Sequence, residues 1–217
     1  MNRQAEITWE HRGILVDWIL QVHARFNMLQ ESFLLSVNVL DRFLSKRQIS
    51  IGRLQLVGLA SFLIATKFEE TYAPSVAEMV ALADKQYTAD DILKAERYIL
   101  KTLNWDLRSP GPMNWLRRGS KADHSETKAR TIAKYLIEIG CLEWRLVAVV
   151  PSLISAAALW LARLTLGREE WVCCVLLRWG SLLIECFFLS RRRISHTIPL
   201  FRRRRFCRLR ILCWSTS

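Results

Sequence analysis

Leu54-Gln-Leu-Val-Gly-Leu-Ala-Ser-Phe-Leu-Ile-Ala-Thr-Lys67 decides the fold. With Arg53 in front, residues 53–67 are apolar nearly all round: Leu54, Leu56, Val57, Leu59, Phe62, Leu63 and Ile64 leave no broad polar stripe. A helix of that kind sits at the centre of a bundle, surrounded by other helices. The neighbours it needs are amphipathic, and the sequence supplies them. Residues 12–26 place Ile14, Leu15, Trp18 and Val22 at helical spacing, and residues 32–44 repeat the pattern with Phe33, Leu34, Val37, Leu40 and Phe43. A weaker helix covers Ser75 to Ala83. Thr88 followed by Asp91 reads as a capping box that opens a helix running through Leu103. Ser109-Pro-Gly-Pro112 then breaks the chain.

A similar order returns after the break. A short helix is expected over about Met113 to Arg118 and a longer amphipathic one over Ser125 to Gly140. Pro151 suits a helix start, and Ser152 to Leu166 is Ala-rich and apolar again. The two central-type helices begin about 98 residues apart, which suggests a duplicated helical unit. No strand-length alternation occurs in residues 1–171. The expected class is all-α, two helical bundles in tandem.

Charge divides the chain differently. The formal charge of +12 averages two unlike segments. Residues 1–171 hold 22 Lys and Arg against 19 Asp and Glu, whereas residues 172–217 hold ten Arg, no Lys and one acid, Glu185. Five of the six Cys lie in that last stretch, so Cys141 stands alone before it and no disulfide framework is possible there. That usage suits a reducing compartment. Met1 to Glu10 is polar and has no apolar signal-peptide core.

The sequence carries no catalytic motif. There is no Gly-rich phosphate loop and no Gly-x-Ser-x-Gly elbow. His11, His23, His124 and His196 have no partners at metal-ligand spacing, and Cys173-Cys174 are adjacent. Glu69-Glu70 reads as the surface of a helix C-terminus. No catalytic residue, metal or cofactor is expected.

Two stretches are more specific. One is His11-Arg-Gly-Ile-Leu-Val-Asp-Trp18 followed by Asp41-Arg-Phe-Leu44; the other is Leu54-Gln-Leu-Val-Gly58 followed by Ala65-Thr-Lys-Phe-Glu-Glu70. Together they resemble the cyclin box. Ile92-Leu-Lys-Ala-Glu-Arg97 and Gly111-Pro-Met-Asn-Trp-Leu-Arg-Arg-Gly-Ser-Lys-Ala-Asp123 resemble fungal B-type mitotic cyclins in particular. The resemblance runs from about Thr8 to Trp171. It implies two five-helix cyclin folds, the second incomplete, with an N-terminal box over residues 1–108 and a partial C-terminal box over 109–171. It also implies an activating subunit of a cyclin-dependent kinase, working at the G2/M transition in nucleus and cytoplasm, with no membrane or nucleic-acid partner.

Residue roles follow from the same resemblance. Lys67 and Glu96 match the pair that hydrogen-bonds the kinase's C-helix region, with Phe68 adding apolar contact; a charge-assisted bond of this kind contributes about 1.5–3 kcal/mol. Arg12 and Asp41 match an internal ion pair joining two helices of the first fold. Ile14, Leu15, Trp18, Gln21, Leu54 and Gln55 match a docking patch for Arg-x-Leu-type substrate motifs. His11 replaces the Met usual at the patch edge, and Gln21 stands where some cyclins carry an acid. An alternative reading is a cyclin-fold adaptor in a nuclear transcription complex, using a basic tail on nucleic acid.

The tail departs from the pattern. After Trp171 the family continues with Thr-Pro and two more helices, whereas this chain reads Val172-Cys-Cys-Val. Residues 172–217 contain no Ala, Asp, Asn, Gln, Lys, Met or Tyr. A membrane anchor and a basic targeting tail are two readings. The favoured reading is translated intron plus shifted frame. Val172-Cys173 can be written GTATGT, a common fungal intron start, and removal through Ser190 deletes 19 codons plus two bases. In the new frame residues 191–217 can encode a B-type cyclin ending. The start, too, reads as cut, because mitotic cyclins usually carry a long disordered segment with a destruction box before the first fold.

Overall fold

The computed structural model describes residues 4–84, 86–122 and 127–167, and the readings made for 168–217 lie outside them. The described residues form helices and turns without strands. In order they are α1 (Trp9–Phe26), α2 (Gln30–Lys46), α3 (Leu54–Glu69), α4 (Val76–Leu82), α5 (Ala89–Thr102), α6 (Pro112–Ala122), α7 (Thr127–Gly140) and α8 (Pro151–Thr165). Short 3-10 turns at Ile51–Arg53 and Trp144–Leu146 precede α3 and α8.

The central reading of 53–67 becomes α3, which is buried continuously from Val57 to Thr66. It packs against α1, α2 and α5. By length and composition, Ile51–Glu69 is apolar enough to cross a membrane; here the bundle covers it. The same spacing logic puts α8 against α6 and α7. Among the described residues, α8 buries only one face, through Ser155, Ala157, Ala158, Leu159 and Ala162. One apolar core runs from Ile7 through α1–α3 to Met113, Leu116, Ile137 and Leu159 in the second unit. Each large side chain fully buried there contributes about 1.5–3 kcal/mol.

Helix ends follow their caps. Thr88 and Asp91 form the expected reciprocal box, and Ser75 and Glu78 form a second one at α4. The start of α1 lies three residues before the expected position, because the Thr8 hydroxyl accepts from the His11 N–H while the His11 ring accepts from the Thr8 N–H. Asn27 ends α1 in the left-handed region at φ 53°, which Asn tolerates better than most residues. Ahead of α1, Gln4 straps the α2–α3 loop. Its amide donates to the carbonyls of Leu44 and Arg47 at 2.7 and 2.6 Å and accepts from the Ile49 N–H.

Candidate functional site: two faces of the first bundle

Arg12 and Asp41 are the structural centre. Arg12 is 1% exposed on α1, and its guanidinium donates twice to the Asp41 carboxylate on α2, both at 2.7 Å. A third bond, which the sequence does not reveal, runs from Nη1 to the Cys141 carbonyl at 2.9 Å. The pair therefore fastens the second unit to the first as well as α1 to α2. Burial opposes the guanidinium charge, but the hydrogen bonds and charge of Asp41 outweigh it and raise the Arg12 pKa. Glu31 paired with Arg117, Gln30 bonded to Glu138, and Trp9 stacked on Trp144 at 5.5 Å complete the junction. A cavity of about 150 Å³ remains between α2 and the second unit, beside Arg12, Asn38, Met113 and Cys141.

Among the described residues the one cysteine, Cys141, is unsuited to covalent chemistry. Burial pushes the Cys141 thiol up to about 12, so it stays protonated at neutral pH. Among the described residues no group of three His, Cys, Asp or Glu side chains is placed to hold a metal ion.

Lys67 and Glu96 meet. They come from the last turn of α3 and the middle of α5, 29 residues apart, and Lys67 Nζ donates to Glu96 Oε1 at 2.7 Å. Glu96 is nearly buried while the Lys67 side chain is half exposed, and Phe68 beside it is exposed. One edge of the bundle thus presents a cationic donor, a carboxylate acceptor and an apolar ring. Water reaches Lys67, whereas the buried Glu96 carboxylate needs a donor beside it, either Lys67 or an N–H that replaces it.

The docking-patch residues divide. Ile14 is 67% exposed, Gln21 is exposed, and Trp18 and Gln55 are half-buried. Leu15 and Leu54 are 6% and 7% exposed and form the floor of this face rather than its rim. The reason is close helix packing. Gly58 lets α3 approach α1 so tightly that a Cβ there would lie 2.7 Å from Leu15 Cδ1. Leu15 and Leu54 are packing residues beneath an accessible rim of Ile14, Trp18, Gln21 and Gln55. Asp17 lies on the same helix, and burial raises its pKa against the opposing hydrogen bond from Gln21.

Comparison with known proteins agrees with this architecture. The cyclin N-terminal domain model matches residues 1–108, and the cyclin C-terminal domain model matches 110–176. The G2/mitotic-specific cyclin cdc13 of Schizosaccharomyces pombe is 52% identical over 171 residues, which is 79% of this chain and 36% of that protein. The G2/mitotic-specific cyclin-B of Emericella nidulans is 47% identical over the same shares of the two chains. This chain therefore spans about a third of the length of the curated relatives it matches. Among solved structures, a viral cyclin from herpesvirus saimiri has a TM-score of 0.74 at 23% identity, covering 91% of this chain and 90% of that one. A chain of the yeast RNA polymerase II CTD kinase complex CTDK-1 has a TM-score of 0.69 at 11% identity, covering 90% and 69%. Two tandem helical units, both cyclin domain models and relatives that are G2/mitotic cyclins place this chain in the cyclin family, on its fungal B-type side.

Proposed function

We propose that this chain is the non-catalytic, activating subunit of a cyclin-dependent protein kinase acting at G2/M, in nucleus and cytoplasm. The observation that carries the reading is the Lys67–Glu96 pair beside exposed Phe68 at one edge of α3 and α5. A Lys donates to backbone carbonyls and a Glu accepts from backbone N–H groups, so the edge can bond both kinds of free backbone group in the kinase's C-helix region. Phe68 supplies apolar contact area. Binding there biases the kinase toward an ordered active arrangement, and every catalytic group belongs to the partner. The rim of Ile14, Trp18, Gln21 and Gln55 docks substrates or inhibitors with Arg-x-Leu-type motifs. Trp18 gives that rim a stiff, flat surface, while Gln21 offers no full negative charge to the motif's Arg.

The test is co-purification. Lys67→Ala with Glu96→Ala should abolish recovery with a mitotic cyclin-dependent kinase while far-UV circular dichroism keeps its helix content. Undiminished recovery overturns the assignment.

A further inference from the structure

We infer that Glu70 is the positioning residue that holds the kinase-facing end of α3, by capping α2 from outside that helix. The inference rests on the proposed kinase-binding reading. The sequence presents Glu69-Glu70 as surface charge, and the structure separates the two. Glu69 is exposed, whereas Glu70 is partly buried.

Helix α2 needs a cap and has none of its own. Its cap position is Leu29, whose side chain offers no acceptor. The first N–H groups of a helix are otherwise orphaned. Glu70 supplies the half of a capping box that bonds the cap residue's own N–H. One carboxylate oxygen accepts from the Leu29 N–H at 2.7 Å and from the Ser32 hydroxyl at 2.6 Å. Ser32 is fully buried, so its hydroxyl cannot turn to bulk water instead. A carboxylate at a helix N-terminus is also favoured by the helix dipole.

The backbone of Glu70 works at the other end. Its N–H closes the final turn of α3 on the Thr66 carbonyl at 2.9 Å, and its own backbone then becomes extended. Glu70 is thus bonded to Thr66 behind it and to the start of α2 beside it. Lys67 and Phe68 lie between Thr66 and Glu70 in the chain, so the two anchors bracket them. Pairing with Glu96 holds the Lys67 head, while Glu70 holds the turn from which Lys67 and Phe68 project. Without the Glu70 cap, the last turn of α3 is free to fray, and both groups leave the geometry in which they meet a partner.

The experiment measures the dissociation constant of the whole chain for a purified fungal mitotic cyclin-dependent kinase. Glu70→Ala should weaken binding about tenfold or more, and Ser32→Ala, a milder variant that removes one of the two bonds, should weaken it about threefold. Glu70→Gln keeps an acceptor oxygen at the same reach and should restore most of the affinity. In a Lys67→Ala/Phe68→Ala background, adding Glu70→Ala should change affinity by less than about twofold, because what it positions is gone. An equal fold-loss in both backgrounds means that Glu70 acts directly or only through general stability, and it overturns the inference. So does unchanged binding by Glu70→Ala and Ser32→Ala. If Lys67→Ala/Phe68→Ala itself binds as wild type does, the kinase-facing reading has failed, and the positioning role fails with it.

Discussion

Replacing Arg12 by Met tests the junction that holds the two units together. The substitution roughly keeps the volume of the side chain and removes its charge. It deletes two 2.7 Å bonds to Asp41 and one 2.9 Å bond to the Cys141 carbonyl. Breaking a buried ion pair from one side costs about 3–5 kcal/mol, because the remaining charge is left uncompensated. The Asp41 side chain is 19% exposed, so water reaches it and the lower part of that range applies. The orphaned Cys141 carbonyl adds about 1 kcal/mol. The sum is about 4 kcal/mol, a large share of a typical total stability of about 5–15 kcal/mol. For a chain of this size it corresponds to a fall in melting temperature of roughly 8–16 °C. Urea titration followed by far-UV circular dichroism measures the loss, and near-UV circular dichroism of the stacked Trp9 and Trp144 reports the junction itself. The double variant Arg12→Met/Asp41→Leu should recover to within about 1–2 kcal/mol of wild type, since an apolar pair of similar volume replaces both charges. A loss below about 1 kcal/mol for Arg12→Met would mean that the pair does not hold the junction, as would a double variant as unstable as the single one.

Further outcomes follow from particular residues. Hydrogen bonds from Ser75 lower the Glu78 pKa from its ordinary 4.5, and bonds from Thr88 lower that of Asp91 from 3.8. Their stabilising effect is therefore complete above those values and is lost as pH falls through the lower folded values. Helix content should start to drop below about pH 4.5, and Glu78→Gln with Asp91→Asn should flatten that slope in an acid titration. Asp17 has the opposite sign, because its raised pKa means that acidification favours the folded form; Asp17→Asn should raise stability at neutral pH. In the docking patch, Trp18→Ala should lower kinase activity on Arg-x-Leu substrates and spare short peptides without the motif, whereas Leu54→Ala should cost about 2–5 kcal/mol of folding stability as a core truncation. For the tail, sequencing spliced messenger RNA across Trp171 should find the span from Val172 to Ser190 removed and the frame shifted; a mature message that retains it would require a function for residues 172–217.

Local signals made most helices readable. The all-round apolar run of α3 and the Thr88–Asp91 box stand in the sequence as they stand in the fold, because each depends on residues within one or two turns. Helix α2 begins two residues before the expected position because its cap, Glu70, comes from the far end of α3. Long-range partners were not legible for the same reason. Spacing alone cannot show that Lys67 meets Glu96, or that Arg12 reaches a carbonyl 129 residues away. The burial of Leu15 was signalled only by Gly58, a small residue inside a helix where close approach demands one. Exposure of Ile14 beside buried Leu15 follows from which side of α1 faces α3, and that depends on packing rather than on composition.

The proposed function is activation of a kinase through the α3–α5 edge. Titrating the chain into a purified fungal mitotic cyclin-dependent kinase, with phosphate transfer to a short peptide as readout, tests it most directly. Saturable activation by the native chain is expected, with its loss on Lys67→Ala with Glu96→Ala and helix content unchanged. Absence of activation by the native chain, or full activation by the double variant, would contradict it.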